Sequence, residues 1–480
     1  MLFNSIDFAI FMPIVLGIYW ALNKNVKIQN IFLLAASYLF YTWWNWRYLS
    51  LILVCSLTNY FAGLLLMKYE SKKIRKTVLI TCCTICFGIL GVFKYYDFFV
   101  HSFVDAFSLF GIQLQAHTLK LILPVGISFY TFHTLSYTID VYRHKFEPTR
   151  DVVSFFLFVS IFPLAMAGPI ERATNLLPQI YVKRTFDYSR TVDGMRQILW
   201  GLFKKVVIAD SCATYVNQIW DTYQNQSSST LFIAAIFYSF QIYGDFSGYS
   251  DMAIGIGKLL GFKFLNNFKF PYFSRDIAEF WRRWHISLNT WFRDYLYIPL
   301  GGSRVSKLKV VRNTFAIFLV SGFWHGANWT FIVWGMLHAC LFLPEILTGK
   351  NRKFTNVVAE NRILPNLKEF LQMFVTFAMV TIGWIFFRSE SISDAVNFLA
   401  KIPTKSLLSL PFMPSKMTTF GFIIIMLAIE WLQRDKMHGL ETFGLSWKPI
   451  FRYAFYYTLI MFILLFSIFN QQTTFIYFQF

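Results

Sequence analysis

One ionisable residue stands in the middle of a long stretch of apolar residues. Residues 321–329 read Ser-Gly-Phe-Trp-His-Gly-Ala-Asn-Trp, so His325 lies between two glycines. Ionisable groups inside apolar, membrane-length segments are costly and are therefore functional candidates. An imidazole, with an ordinary pKa of about 6.5, suits a general base that removes a proton from a hydroxyl at neutral pH. The flanking Trp324 and Asn328 favour this function over the alternative, a buried histidine bonded to a neighbouring carbonyl.

A second candidate segment mixes aromatic and basic residues. Residues 280–302 read Phe-Trp-Arg-Arg-Trp-His-Ile-Ser-Leu-Asn-Thr-Trp-Phe-Arg-Asp-Tyr-Leu-Tyr-Ile-Pro-Leu-Gly-Gly. The mixture is too charged to span a bilayer and is typical of a segment that lies in the interface or dips partly into the membrane. On a helix, His285 and Asn289 would share one face. An ordinary aromatic and basic belt explains the composition but gives no reason for these two residues.

Two carboxylates, Asp245 and Asp251, occur in the otherwise apolar region at residues 241–251. A carboxylate in such a region must be hydrogen-bonded or ion-paired, because burying an isolated charge is costly. We expect the basic segment at residues 263–312 to supply the partners. A structural role is therefore favoured over a functional one on this argument alone.

The remaining histidines and cysteines do not predict a metal site. All six cysteines lie in or beside apolar segments and are interpreted as packing residues; they are Cys55, Cys82, Cys83, Cys86, Cys212 and Cys340. Cys83 and Cys86 form a Cys-x-x-Cys pair, but no second pair completes a zinc site. His133 and His338 are interpreted as structural. No His-Glu-x-x-His pattern occurs, so we expect neither a metal nor a bound cofactor.

The elements that position these residues must be membrane helices. Of the 480 residues, 56% are hydrophobic and only 14% are charged, whereas soluble domains carry roughly 25% charged residues. Windows without charge, near the length of about 20 residues that crosses a bilayer, recur along the chain and predict about eleven to twelve transmembrane helices. The uncharged stretch at residues 313–344 is too long for one upright span, so it must be strongly tilted or broken near Gly322 or Gly326.

The distribution of charge predicts orientation and excludes a nucleic-acid partner. The net charge is +19, but the basic residues lie in short connectors, where cytoplasmic loops collect Lys and Arg. Residues 263–312 are accordingly placed on the cytoplasmic side, and tilted or re-entrant pieces are expected between residues 170 and 230.

We predict one membrane domain over residues 1–480. Its parts are N-terminal helices (1–262), a re-entrant aromatic-basic segment (263–310), a histidine-bearing region (311–347) and C-terminal helices (348–480).

Together these motifs resemble the membrane-bound O-acyltransferase family, and most closely its bacterial branch of alginate, peptidoglycan and cellulose O-acetylase membrane subunits and teichoic acid D-alanyl transfer proteins. The motifs that carry the resemblance are residues 245–251, 282–287, 295–302, 322–326 and 475–480. The resemblance implies an all-α polytopic fold of tilted helices and re-entrant segments around a central tunnel. His325 matches the family's histidine, and His285 matches a second polar position of the re-entrant segment.

The resemblance also implies roles for individual residues. His325 would be the general base, and Asn328, His285 or a backbone N–H near the glycine break would bind the oxyanion. Arg282, Arg283 and Arg293 would hold the phosphates of the donor. The remaining residues assigned to substrate or donor binding are Trp324, Asn289 and Asp245.

The implied activity is transfer of an acetyl group from a cytoplasmic thioester, either acetyl coenzyme A or an acylated carrier protein, to an exported polysaccharide or cell-wall glycan. The expected partners are an extracytoplasmic SGNH-hydrolase-like acetyltransferase, a cytoplasmic acyl carrier, the polysaccharide acceptor and membrane lipid, and the expected location is the bacterial inner membrane. The alternatives are D-alanyl transfer to teichoic acid and a secondary transporter or flippase. Transporters often contain internal repeats, and none is visible in this sequence.

Overall fold

The protein is helical throughout the part that the structure describes. The computed structural model describes residues 1–166, 168–412, 417–467 and 476, and no β-strand occurs among them. This confirms the predicted all-α class. The chain divides into two compact units, one formed by Met1–Thr191 with Ile256–Leu265 and the other by Val192–Gly255 with Asn266–Phe480.

The first unit contains mostly apolar helices. They are α1 (Ile6–Ala21), α2 (Val26–Thr42), α3 (Leu49–Lys68), α4 (Lys72–Leu90), α5 (Tyr96–Ser108), α6 (Ile127–Tyr142), α7 (Val152–Ser160), α8 (Phe162–Ala165), α9 (Ala173–Tyr181) and the start of α10 (Tyr188–Leu202). A π-helical turn over Gly91–Tyr95 joins α4 to α5.

Polar contacts fasten the helices of this unit to one another. The Thr138 hydroxyl on α6 donates to the Asn59 side-chain oxygen on α3 at 2.6 Å, and the same side-chain amide donates to the Cys86 sulfur on α4 at 3.2 Å. Cys86 is buried and reduced, as expected of a packing residue. Hydrogen bonds of this kind stabilise helix association where apolar burial discriminates little between partners.

The second unit carries both candidate histidine motifs. It contains the rest of α10, a π-helix over Phe203–Ala209, α11 (Asp210–Trp220), most of α12 (Ser228–Leu259), α13 (Ile277–Arg283), α14 (Ile286–Phe292), α15 (Lys307–His325), α16 (Trp329–Leu347), α17 (Leu367–Arg388), α18 (Ile392–Lys401), α19 (Met417–Leu432) and α20 (Pro449–Phe466).

The long uncharged stretch forms a helical hairpin. Helix α15 ends at His325, Gly326 is extended (φ −161°, ψ 154°), and α16 begins at Trp329. The predicted break is therefore confirmed at Gly326. Gly322 lies inside α15 and has another role, because a Cβ atom there would stand 2.2 Å from the Phe331 carbonyl oxygen. Close approach of two helix backbones requires such small residues.

Five helical segments of the described residues are long and apolar enough to cross a membrane by length and composition. They are Trp46–Lys68, Lys72–Ser108, Trp329–Leu347, Leu367–Arg388 and Pro449–Phe466. Two shorter apolar helices, Ile6–Ala21 and Thr418–Leu432, accompany them. The chain is thus a multi-pass membrane protein, while the total of eleven to twelve spans and the tunnel stay predictions.

Candidate active site

His325 is positioned by the interruption between α15 and α16. It is the last residue of α15 and is buried, with 4% of its surface exposed. The Asn328 side chain caps α16 by accepting from the Thr330 N–H at 3.0 Å, and its amide donates to the Glu390 carbonyl at 2.8 Å. Asn328 therefore fixes the geometry of the break with both ends of its side chain, which is the usual function of an N-cap asparagine.

His285 occupies a strained turn between α13 and α14. Its backbone has φ 44° and ψ 52°, the left-handed region that non-glycine residues rarely adopt. The Asn289 amide stabilises this turn by donating to the Trp281 and Trp284 carbonyls, both at 2.6 Å. Because His285 precedes α14, the predicted shared helical face with Asn289 does not form, and Asn289 supports the turn instead. Strain of this kind is often found at functional sites.

The structure brings the two histidines together inside a wall of aromatic rings. The imidazole centroids of His285 and His325 are 6.4 Å apart, and Trp324 lies 5.9 Å from the first ring and 4.9 Å from the second. Trp334 and Phe387 pack against His325 at 5.1 Å and 5.4 Å. Sequence reasoning missed these last two residues, because aromatic residues are common throughout the chain and nothing distinguishes these two.

This arrangement can perform acid–base chemistry on a small group. Each imidazole has one nitrogen that can donate and one that can accept a proton in its neutral form. The two imidazoles are near enough to act on one group, and the rings packed around His325 are aromatic. A general base and a hydrogen-bond donor directed at the same group are the two parts that acyl transfer to a hydroxyl requires.

The three arginines assigned to the donor lie in different environments. Arg283 is buried and pairs with Glu279 at 2.7 Å. Arg282 donates to the Phe354 carbonyl at 2.6 Å and also contacts the Asn351 carbonyl, which fastens the connector after α16. Arg293 is 59% exposed and pairs with Asp294 at 2.8 Å. Arg282 and Arg283 thus make structural bonds, and Arg293 is exposed with an acidic neighbour as its partner.

Asp245 and Asp251 belong to a buried ion network, but their partners differ from those predicted. Lys205 lies 2.7 Å from Asp245 and 2.9 Å from Asp210, and Lys204 lies 2.6 Å from Asp251. The expectation that residues 263–312 supply the partners is therefore wrong. Both lysines belong to the π-helix over Phe203–Ala209, which sequence reasoning noted only as an interruption of an apolar stretch.

Glycines explain why these carboxylates meet the π-helix. A Cβ atom at Gly244 would stand 3.0 Å from the Lys204 carbonyl oxygen, and one at Gly248 would stand 2.7 Å from the Gly201 carbonyl oxygen. The two helices therefore touch along their backbones, which turns the charged side chains of each toward the other. The network also includes Glu430, whose carboxylate lies 3.9 Å from the Lys204 ammonium and accepts from the Tyr243 hydroxyl at 2.9 Å.

Comparison with known proteins decides the family. The model of the membrane-bound O-acyltransferase family matches residues 38–387, a range that includes both histidines. The chain belongs to this family. The motif at residues 475–480, which contributed to the resemblance, lies outside the described residues except for Ile476, whose N–H donates to Asp245 at 2.6 Å.

Individual relatives of this O-acyltransferase modify polymers. The chain is 41% identical to a probable alginate O-acetylase of Pseudomonas aeruginosa, over 82% of this chain and 73% of that protein. It is 32% identical to a peptidoglycan O-acetyltransferase of Helicobacter pylori, over 100% and 98% of the two chains. A teichoic acid D-alanyltransferase of Bacillus subtilis is 28% identical over 56% of this chain and 70% of its own length. The protein is thus a membrane acyltransferase whose relatives act in polymer modification.

Proposed function

We propose that this acyltransferase takes an acetyl group from a cytoplasmic thioester and passes it across the bacterial inner membrane for O-acetylation of an exported polysaccharide or cell-wall glycan. The observation that carries the proposal is the pairing of His285 with His325 in one buried aromatic enclosure. The peptidoglycan O-acetyltransferase of Helicobacter pylori, which aligns over the whole chain, supports acetyl as the transferred group.

In this proposal His325 is the general base. It removes the proton from an acceptor hydroxyl as the oxygen attacks the thioester carbonyl carbon. The carbonyl oxygen becomes an oxyanion that accepts a hydrogen bond from His285. Collapse of the tetrahedral intermediate breaks the carbon–sulfur bond, and the thiolate leaves with the proton held by His325. His285 is preferred to Asn328 as the oxyanion donor because both ends of the Asn328 side chain are held in the helix cap, by the Thr330 N–H and the Glu390 carbonyl.

The donor side of the site is proposed to face the cytoplasm. The basic segment at residues 263–312 follows the distribution typical of cytoplasmic connectors. Arg293 is accessible there and carries the planar fork of donors that suits a phosphate. It is the side chain best placed to contact the phosphates of coenzyme A or of a carrier protein's phosphopantetheine arm. Acetyl coenzyme A and an acylated carrier protein are both compatible with that chemistry.

The acceptor side is proposed to hand the acetyl group to a polysaccharide hydroxyl, or first to a serine of an extracytoplasmic SGNH-hydrolase-like acetyltransferase. Either acceptor presents a hydroxyl, so the role of His325 is the same. Stable partners are identified by a pull-down of the tagged full-length protein from the membrane fraction. A tagged His325→Ala protein, washed under the same conditions, is the control. An acceptor that binds only during turnover is detected instead by its acetylation.

D-alanyl transfer to teichoic acid is the second candidate, because a D-alanyltransferase is among the relatives. It is ranked lower because that match covers only 56% of this chain, whereas the peptidoglycan acetyltransferase match covers all of it. A transporter or flippase would use the same buried charges without an acyl donor. Substrate flux into vesicles that contain the purified protein and no thioester would favour that function.

The test is a comparison of cells with the native gene, without the gene, and with His325→Ala. Mass spectrometry of the surface glycans should show O-acetyl groups only in cells with the native gene. Membrane content of the variant, measured by immunoblot, controls for folding and insertion. D-alanyl esters in place of acetyl esters would select the second candidate, and unchanged acetylation in the His325→Ala cells would contradict the mechanism.

A further inference from the structure

His338 is a buried imidazole on α16 whose two nitrogen atoms have no hydrogen-bond partner among the described residues. None of its surface is exposed. The ring of Trp281 lies 4.9 Å away between centroids, and its indole N–H also lacks an acceptor in the part of the chain that the structure describes. Because buried polar groups are nearly always hydrogen-bonded, this pair indicates a bound water or ligand.

Gly383 on α17 leaves one of the imidazole nitrogen atoms uncovered. A Cβ atom at residue 383 would stand 2.7 Å from His338 Nε2. Any residue larger than glycine would therefore place a carbon atom against this nitrogen. The absence of a side chain at residue 383 provides space for a ligand atom beside Nε2.

A groove of about 690 Å³ between α13, α16 and α17 leads toward this pair. The groove residues one helical turn away from Trp281, His338 and Gly383 are all apolar; they are Ile277, Leu341 and Met379. Residues that are three or four apart are neighbours on a helix surface. The apolar end of the groove therefore adjoins His338.

The same two helices connect His338 to the proposed general base. Trp334 precedes His338 by one turn of α16, and its ring centroid lies 5.1 Å from that of His338 and 5.1 Å from that of His325. Phe387 follows Gly383 by one turn of α17 and packs 5.4 Å from His325. His338 thus lies between the groove and the histidine enclosure.

The other end of the groove adjoins the connector between α16 and α17. The basic residues of this connector give it the composition of a cytoplasmic loop; they are Lys350, Arg352, Lys353 and Arg362. Charged side chains of both signs line the groove here; they are Arg275, Asp276, Glu345 and Lys368. A donor that enters the groove from the cytoplasm would therefore pass His338 before it reaches His325.

We propose that His338 and Trp281 bind the amide group nearest the thioester of the donor's pantetheine arm. This inference rests on the proposed function, which supplies the thioester. A neutral imidazole has an acceptor nitrogen and an indole has only a donor, so the pair matches a group with one N–H and one carbonyl. The amide N–H donates to His338, and the amide carbonyl accepts from Trp281.

The position of this amide in the donor agrees with the positions of the two histidines. One sulfur atom and two methylene groups separate the amide nitrogen from the thioester carbonyl carbon, which is the atom attacked beside His325. His338 and His325 contact opposite neighbours along the donor in this arrangement, with Trp334 packed against both rings. Acetyl coenzyme A and an acylated carrier protein carry the same arm, so the subsite serves either donor.

Two small thioesters test the subsite in the native enzyme. S-acetyl-N-acetylcysteamine contains the amide, and its ketone analogue has a methylene group in place of the amide N–H. Each is supplied to the protein in vesicles with the glycan isolated from cells without the gene, and kcat/KM is measured by thiol release. The amide should be preferred about tenfold, because the ketone leaves a buried acceptor unpaired.

The outcomes separate this inference from the proposed function. Equal kcat/KM for the two thioesters would overturn the subsite and show that the pair binds water only. Absence of thiol release from acetyl coenzyme A and from an acetylated carrier protein would contradict the proposed function itself. The preference is measured in the native protein, so it does not depend on the folding of a variant.

Variants assign the preference to His338. His338→Phe keeps an aromatic ring but removes both nitrogen atoms, and should abolish the preference for the amide. His338→Gln should retain part of it, because its side-chain amide restores an acceptor. An unchanged ratio of the two kcat/KM values in His338→Phe, with both values lowered equally, would show a merely structural role and contradict the proposal.

Glycine variants test the space beside Nε2. Gly383→Ala fills this space and should lower the ratio of the two kcat/KM values about threefold or more, because a ligand atom is displaced from the nitrogen. Gly421→Ala makes the same change on α19, where nothing lies within 4 Å of the added carbon, and should keep the native ratio. A native ratio in Gly383→Ala would contradict binding at Nε2.

The two sources of the arm are distinguished with complete donors. Acetyl coenzyme A and an acetylated acyl carrier protein are compared, and the donor with the higher kcat/KM in the native enzyme is the physiological one. His338→Phe should lower kcat/KM for that donor by about the factor found with S-acetyl-N-acetylcysteamine, because the amide is common to both. Use of that donor at the native level by His338→Phe would overturn the proposal.

Discussion

Phe246 packs edge to face against His285, with ring centroids 4.7 Å apart. The preceding residue on α12 is Asp245, which pairs with Lys205. Consecutive residues of α12 therefore contact the histidine enclosure and the buried ion network. Because side chains on one helical turn share the same backbone, a disturbance of the network is expected to displace the ring that supports His285.

Replacement of the proposed general base should abolish transfer. His325→Ala is expected to lower acetyl transfer by at least about 100-fold, because a positioned base contributes roughly 10²–10⁴-fold. The rate is measured with purified protein in vesicles, by release of free thiol from the thioester donor. The variant should elute as the native protein does on size-exclusion chromatography. Activity above a tenth of the native level would remove His325 from the mechanism.

The oxyanion donor can be tested with two substitutions at one position. His285→Asn keeps an N–H donor and tolerates the left-handed backbone, whereas His285→Ala keeps neither property. The alanine variant should lose about 10²–10³-fold in kcat, the usual effect of deleting such a donor. The asparagine variant should retain more activity, with the difference in kcat rather than in KM. Equal activity of the two variants would argue for a purely structural role of His285.

The ion network should be essential for stability. Lys205→Met leaves Asp210 and Asp245 without their shared cation, and breaking a buried ion pair in this way costs about 3–5 kcal/mol. We expect this variant to have a lower unfolding temperature than the native protein in detergent, measured by thermal scanning fluorimetry. Adding Asp245→Asn and Asp210→Asn to Lys205→Met should restore part of the lost unfolding temperature, because neither aspartate then leaves an unpaired charge beside position 205. An unfolding temperature equal to that of the native protein would contradict the buried pairing.

Two glycine substitutions test the helical hairpin. Gly322→Ala places a methyl group 2.2 Å from the Phe331 carbonyl oxygen and should destabilise the protein by about 1–3 kcal/mol, as overpacking does. Gly421→Ala is the matched control, since nothing lies within 4 Å of its Cβ position on α19. That change should be neutral or slightly stabilising, because alanine is the better helix residue. The comparison uses the unfolding temperatures of the two purified variants.

Features encoded by neighbouring residues could be predicted from the sequence. The break beside His325 could be predicted because an uncharged stretch too long for one upright span contains Gly326. The choice of His325 and His285 as candidates also followed from local composition and from the family resemblance. The family itself is confirmed, although the roles of both histidines stay predictions.

Features that depend on helix orientation could not be predicted. The partners of Asp245 lie in the π-helix over Phe203–Ala209, and the choice between these lysines and other basic residues depends on how that helix is rotated toward α12. The left-handed turn at His285 gave no signal, because such turns usually contain glycine. The contacts of Trp334 and Phe387 with His325 also require the packed structure, since aromatic residues are common throughout the chain.

The gap between α15 and α16 has a consequence for how charge is tolerated so deep in the protein. A helix that stops leaves up to four carbonyls without intrahelical partners, and one that starts leaves up to four amides. The two helix ends are separated by only three residues that follow His325, so the main-chain dipoles of both helices terminate beside it in the chain. A mutation that made the two helices continuous would silence the enzyme while leaving every proposed reacting side chain in the sequence.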